Sequence, residues 1–239
     1  MTILCCFLVT YWRGSYLIKD NFQAFLIEGA DLTENYEFPI LQPCYEIPKD
    51  LVAFSKNKET ENLNSFVHFY ERDKDILPFA RNPRNYFSRL SQFKGVIGCD
   101  ISMYRNMPLA MQIAHTYYNR ALSFWLQNHG LSVIPNVRYG DARSYSFCFE
   151  GIPQNSVISI GTYGCIKEKD DIDNHIRGVA ETIKQLGPKA IIFYGTINKE
   201  VEYMLTLEKI DFVVFRSYTS DVFNSSLDKS CPLFEEIGA

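Results

Sequence analysis

Between Ser65 and Phe215, short apolar runs alternate with stretches of helical period, and this rhythm constrains the fold more than any other feature. Residues 66–70, 95–99, 133–137 and 212–215, together with Val157–Gly161 and Ala190–Tyr194, read as strands. Ala190–Tyr194 is apolar at every position, as expected of a strand buried on both faces of a parallel sheet. Helices are predicted between the strands. Asn82-Pro83 opens one, with Asn82 as its N-cap and Tyr86, Phe87 and Leu90 on its apolar stripe. Asn106 and Pro108 begin a long helix to His129, and Gly130 stops it. Residues 171–186 are the clearest helix, with Ile172, Ile176, Val179, Ile183 and Leu186 on one stripe. Residues 196–207 form the last.

Five or six strands alternating with helices imply an α/β fold: repeated βα units around a parallel sheet with right-handed crossovers. A TIM-like barrel, complete or incomplete, is favoured over an open doubly wound sheet. Polar residues recur after strand upon strand, which suits a ring of βα loops, whereas an open sheet concentrates them at one switch point.

At 239 residues the chain is long enough for one α/β domain with a sizeable core. The expected division is an extension over residues 1–21, one α/β domain over 22–217 and a polar tail over 218–239. The apolar start, residues 1–12, is shorter than the roughly 20 residues a membrane-spanning helix needs. It also lacks a basic signal-peptide head, since the first positive side chain is Arg13. It reads as a segment added before the domain, or else as an edge strand or docked arm. No membrane association is expected. Net charge is -4, which disfavours general nucleic-acid binding by phosphate neutralisation. Seven cysteines, an odd number with no C-x-x-C pair, argue against a disulfide scaffold or zinc ribbon and for a reducing, cytoplasmic setting.

In a parallel α/β fold the carboxyl ends of the strands hold the ligand. The side chains gathered there would be a polar mouth suited to acid–base work. His68, Asp100 and Asp141 are the candidate catalytic groups. Asn136, Arg138, Thr162, Gly164 and Lys167 are the candidate ligand-binding residues. Arg138 offers a planar fork for phosphate or carboxylate, with a salt bridge to Asp141 or Asp100 as the structural alternative. Asp100 could instead cap a turn, and His68 could be a hydrogen-bonded core histidine. The loop Gly161-Thr162-Tyr163-Gly164 could cradle a phosphate through its N–H groups, but it matches neither the Walker pattern nor G-x-G-x-x-G. Cys165 reads as a buried thiol or a nucleophile near Arg138 and Lys167. His115, His129 and His175 read as helix-surface residues. No metal site is expected, and no cofactor is indicated: Asp170, Asp171 and Asp173 depart from a calcium-loop spacing and suit a helix amino terminus.

Six short stretches carry a family resemblance: Val67-His68-Phe69-Tyr70-Glu71, Lys94-Gly95-Val96-Ile97, Met107-Pro108-Leu109-Ala110, Asn119-Arg120-Ala121-Leu122, residues 133–141 (VIPNVRYGD) and residues 147–153 (FCFEGIP). In these the chain resembles the domain-of-unknown-function 4417 family, found in phages, prophages and other mobile elements, mainly of Gram-positive bacteria. The resemblance runs from about residue 22 to about residue 215. Family members usually carry Trp where this chain has Tyr139, and they generally start near Phe22. The resemblance implies a mobile-element or prophage protein and brings no activity or catalytic residues with it.

Two functions then fit. One is an enzyme, or an enzyme-derived binder, acting on a small anionic, nucleotide-like ligand at the strand ends. The other is a noncatalytic accessory protein that binds a host or phage protein, with DNA a lesser option. The first expects one concave pocket where at least three of Asp100, Asn136, Arg138, Asp141 and Lys167 converge. The second expects a plugged mouth and an exposed apolar patch.

Overall fold

A computed structural model describes residues 23–162 and 169–216. Among them are seven strands and five α-helices. The strands are β1 (Leu51–Ala53), β2 (Phe66–His68), β3 (Gly95–Ile97), β4 (Val133–Ile134), β5 (Val157–Gly161), β6 (Ala190–Tyr194) and β7 (Asp211–Phe215). The helices are α1 (Asp73–Arg81), α2 (Arg84–Leu90), α3 (Leu109–Asn128), α4 (Lys169–Leu186) and α5 (Lys199–Leu207). Every strand pair is parallel, in the orders β1-β2-β3-β4 and β5-β6-β7. A parallel bridge between Asn136 and Ser159 joins the two sets. Val137 N–H donates to the Ser159 carbonyl (2.8 Å) and Ser159 N–H to that of Pro135 (2.9 Å). The strands thus follow chain order without the reversal that defines a doubly wound sheet.

The side chains explain how this sheet is covered. Successive residues of a strand point to opposite faces. Phe66, Ile97, Ile134, Val157, Ala190 and Ile192 share one interior cluster, which also takes in Leu51 of β1 and Phe215 of β7. The sheet therefore curls, because its first and last strands meet the same interior. Among the described residues β1 and β7 do not pair with each other. The alternate residues face the helices. Val67, Phe69, Val96 and Val133 pack under α1–α3 with Phe79, Leu90 and Trp125. Ile158, Ile160, Ile191 and Phe193 pack under α4 and α5 with Val179, Leu186, Val201 and Leu205.

The amino ends of the strands are closed by an extended segment, residues 38–48. Leu41 N–H donates to the Gly151 carbonyl (2.8 Å), and Val157 N–H to that of Cys44 (2.8 Å). Cys44 also joins the interior cluster. Gly151 has φ 74°, and a Cβ there would stand 2.6 Å from the Pro39 carbonyl oxygen, so this position needs glycine.

Two local expectations are corrected. Asn82 is not a side-chain cap of α2. It terminates α1, a helix the sequence pattern did not announce, and the residue before α2 is Pro83. Residues 133–137 are not one uniform strand. Pro135 has no N–H to donate, so the ladder with β3 stops at Ile134 and the chain then bonds to β5.

Candidate functional site

A cleft of about 860 Å³ opens at the carboxyl ends of β2–β5, walled on one side by the start of α4. Its floor includes Tyr70, which is backed by interior rings. The Tyr70 ring stacks on Tyr194 at 5.2 Å, and His68 lies 4.2 Å from Tyr194. Tyr70 can lie flat because residue 161 is glycine: a Cβ there would come within 2.5 Å of its ring.

On this floor stands a buried polar chain. The Ser159 hydroxyl donates to the Ile192 carbonyl (2.9 Å) and lies 2.7 Å from the Tyr70 hydroxyl, which is 2.9 Å from Asn136 Oδ1. Asn136 Nδ2 donates to the Cys99 carbonyl (3.0 Å) and to Asp100 Oδ1 (2.8 Å). The other Asp100 oxygen lies 3.5 Å from Arg138 Nη1. That is longer than a tight charge-assisted hydrogen bond, so the guanidinium is beside the carboxylate without closing a fork on it. Burial pushes the Asp100 carboxyl up. Arg138 and Asn136 pull it back and Asp73 adds to the rise, leaving it above the usual carboxylate range. Burial likewise holds the Tyr70 hydroxyl well above the ordinary phenol range.

Helix α3 fixes the loops that carry these groups. The Asn119 side chain accepts from Ile101 N–H (2.7 Å) and donates to the Ile101 carbonyl (3.1 Å). Arg120 is buried and donates to three backbone carbonyls, of Glu150 (3.0 Å), Asn136 (3.3 Å) and Cys148 (2.5 Å). Burial lowers its pKa to about 10, still far above neutrality. At the rim, Arg105 reaches across to Asp171 (3.1 Å) and Asp170 (3.5 Å) at the start of α4.

The sequence-derived residues fall in different places. Asp100 and Arg138 line the cleft, and Asn136 supports Asp100 from beneath. His68 lies in the interior below the cleft, where its Nδ1 accepts from Tyr70 N–H (3.2 Å) and burial depresses its pKa to about 3. Asp141 caps the 3-10 turn Ala142–Ser146 by accepting from Arg143 N–H, and pairs with the Arg143 side chain at 2.8 Å, which holds its carboxyl below the usual range. The Thr162 hydroxyl donates to the Tyr194 carbonyl (3.2 Å). Gly164, Cys165 and Lys167 lie outside the described residues.

His175 is not a surface residue. It is 3% exposed and lines the cleft. Tyr139 lies against it, hydroxyl 2.9 Å from Nδ1 and 3.2 Å from the His175 carbonyl. Burial foremost, then the Arg138 charge, lowers the imidazole pKa to about 4. Its helical position carried the missing signal. The buried line of α4 runs through His175, Val179, Thr182 and Leu186, while Ile176 and Ile183 are half-buried. His175 lies four residues before Val179 on that line.

No helix among the described residues is long and apolar enough to cross a membrane. Among them too, no cluster of three or more His, Cys, Asp or Glu could hold a metal ion. Cys44, Cys99 and Cys148 are buried free thiols.

The chain is similar to the Gene 1 protein of Mycobacterium phage L5, 27% identical over 166 residues that cover 68% of this chain and 72% of that protein. It is also similar to the Gene 1 protein of Mycobacterium phage D29, at 25% identity over 68% of this chain and 62% of that protein. No solved structure matches it. The family model described as Domain of unknown function (DUF4417) matches residues 30–216, and the chain belongs to that family.

Proposed function

We propose that this phage-type protein binds a small anionic, nucleotide-like ligand in the cleft at the carboxyl ends of β2–β5, as an enzyme or as a binder derived from one. One observation carries the reading. Asp100 and Arg138 follow two different strands yet line one concave site, with Asn136 bonded to Asp100 from beneath, while Asp141 stands outside the lining and Lys167 lies outside the described residues. Arg138 keeps 12% of its side chain exposed there, so it is recessed but reachable. A cation in such a setting binds an anion more strongly than one in open water. Its planar fork suits phosphate or carboxylate. Asp100 would be the acid–base group of a reaction, poised by its raised pKa. Asp141, Thr162, Gly164 and Lys167 remain proposed contributors to the rim, and His68 a proposed inner group.

A second reading, a noncatalytic partner-binding protein, draws on a different surface. Tyr203 and Leu207 on α5 are 67% and 61% exposed, an apolar pair one turn apart. The open cleft favours the first reading over this one.

A thermal-shift screen of the full chain against nucleotides and sugar phosphates, with Arg138→Ala alongside, separates the two. A ligand that binds only the native state raises Tm by mass action. A rise in the parent that is absent in Arg138→Ala supports the ligand cleft. No rise with any nucleotide or sugar phosphate, in a cooperatively folded sample, overturns it.

A further inference from the structure

The anion-binding reading leaves open what kind of anion fits, and on that reading rests a narrower inference from His175. Its Nε2 is buried and has no hydrogen-bond partner among the described residues. Its Nδ1 is engaged by Tyr139, and one proton arrangement satisfies both contacts of that hydroxyl. The Tyr139 hydroxyl reaches both Nδ1 (2.9 Å) and the His175 carbonyl oxygen (3.2 Å). A carbonyl oxygen only accepts, so the single phenolic proton goes to it. The contact with Nδ1 is then satisfied only if Nδ1 carries the ring proton and donates to the hydroxyl. Nε2 is left with a bare lone pair on a residue that lines the cleft.

Arg138, whose charge acts on the imidazole, and Asp100 line the same cleft. One Asp100 oxygen is taken up by Asn136 and the other faces Arg138. Among the described residues, the cleft therefore holds one acceptor without a partner, His175 Nε2, in the same lining as the Arg138 charge. A fully deprotonated oxyanion can be drawn to the Arg138 charge but offers Nε2 only its own lone pairs. An oxyanion with a proton of its own can meet the Arg138 charge and donate to Nε2 together. We propose that the ligand's anionic group is a hydrogen phosphate, or a phosphate monoester bound as its monoanion, and that His175 Nε2, oriented by Tyr139, accepts its proton in a hydrogen bond beside Arg138.

Inorganic phosphate and sulfate are the probes, because near neutral pH phosphate keeps a proton and sulfate keeps none. Binding of each to the full chain is measured by calorimetric titration or competition, in the parent, Tyr139→Phe and His175→Phe. Phosphate is expected to bind at least about tenfold more tightly than sulfate, the ratio set by leaving a buried acceptor unpaired. Both variants are expected to lose that preference while still binding sulfate. Long-range 1H–15N spectra of the histidine rings are expected to show His175 protonated at Nδ1. Equal binding of the two anions, or a His175 protonated at Nε2, overturns the inference and leaves the anion cleft standing. Failure of both anions to bind overturns the cleft itself. Tyr139→Phe keeps the ring, so it remains informative if His175→Phe does not fold.

Discussion

Two histidines buried as neutral rings should make this protein acid-labile well above the range where carboxylates protonate. Burial holds His68 at about 3 and His175 at about 4, whereas both titrate near 6.5 in the unfolded chain. The folded pKa values are depressed, so below about 6.5 the unfolded chain takes up protons that the native state refuses. Stability is then lost as pH falls through that window. Each pH unit between about 6.5 and the folded pKa costs about 1.4 kcal/mol per histidine, so by about pH 5 the pair costs roughly 4 kcal/mol. That is a large share of the roughly 5–15 kcal/mol that holds a domain together. Asp100 acts in the opposite sense: its folded pKa is raised, so it returns stability as pH falls through that value. Urea unfolding followed by circular dichroism at about pH 7, 6 and 5 measures the slope. His68→Gln and His175→Gln are each expected to remove about half of it. A stability that is flat from about pH 7 to pH 5, or a double variant that keeps the parent slope, would refute the burial of these rings as neutral groups.

Other consequences follow from the packing around the cleft. Arg120→Met leaves the carbonyls of Asn136, Cys148 and Glu150 without their buried donor. The expected cost is about 3–5 kcal/mol after the guanidinium's own desolvation is recovered, a fall in Tm of about 6–20 °C in thermal denaturation; an unchanged Tm contradicts the clamp. Gly178→Ala in the middle of α4 would ordinarily stabilise a helix by about 1 kcal/mol. Here the new Cβ would come within 2.1 Å of the Tyr139 ring, so the variant is expected to lose stability in urea unfolding and to regain it in a Tyr139→Ala background.

The α/β architecture was legible because strands covered on both faces stand out as apolar runs. Ala190–Tyr194 and Val157–Gly161 appear in the structure with the bounds their sequence suggests. Helix α4 is already helical at Lys169, two residues before its expected start, and ends at Leu186 as anticipated. Short elements were not legible. β1 is a three-residue strand whose side chains are all only half-buried, too brief to show a period. α1 carries Pro78 inside it, a residue that reads as a break. The candidate site was legible to the extent that position along the chain decides it. Asp100, Asn136 and Arg138 follow their strands and meet, because parallel strands bring their carboxyl ends to one side. Asp141 follows the same strand as Arg138, yet its carboxylate turns to the backbone and side chain of Arg143 two residues on. A local hydrogen bond won over the shared mouth, and strand order carries no trace of that contest. His175 came from a helix, so a search of strand ends passed over it.

The central claim is an anion-binding cleft centred on Arg138. The most direct measurement is isothermal titration calorimetry of a nucleotide that raises Tm in the screen, against the parent and Arg138→Gln. Saturable one-to-one binding that weakens at least about tenfold in the variant is the expected result, the loss of one charge-assisted contact. Equal affinity in the parent and in Arg138→Gln would contradict it.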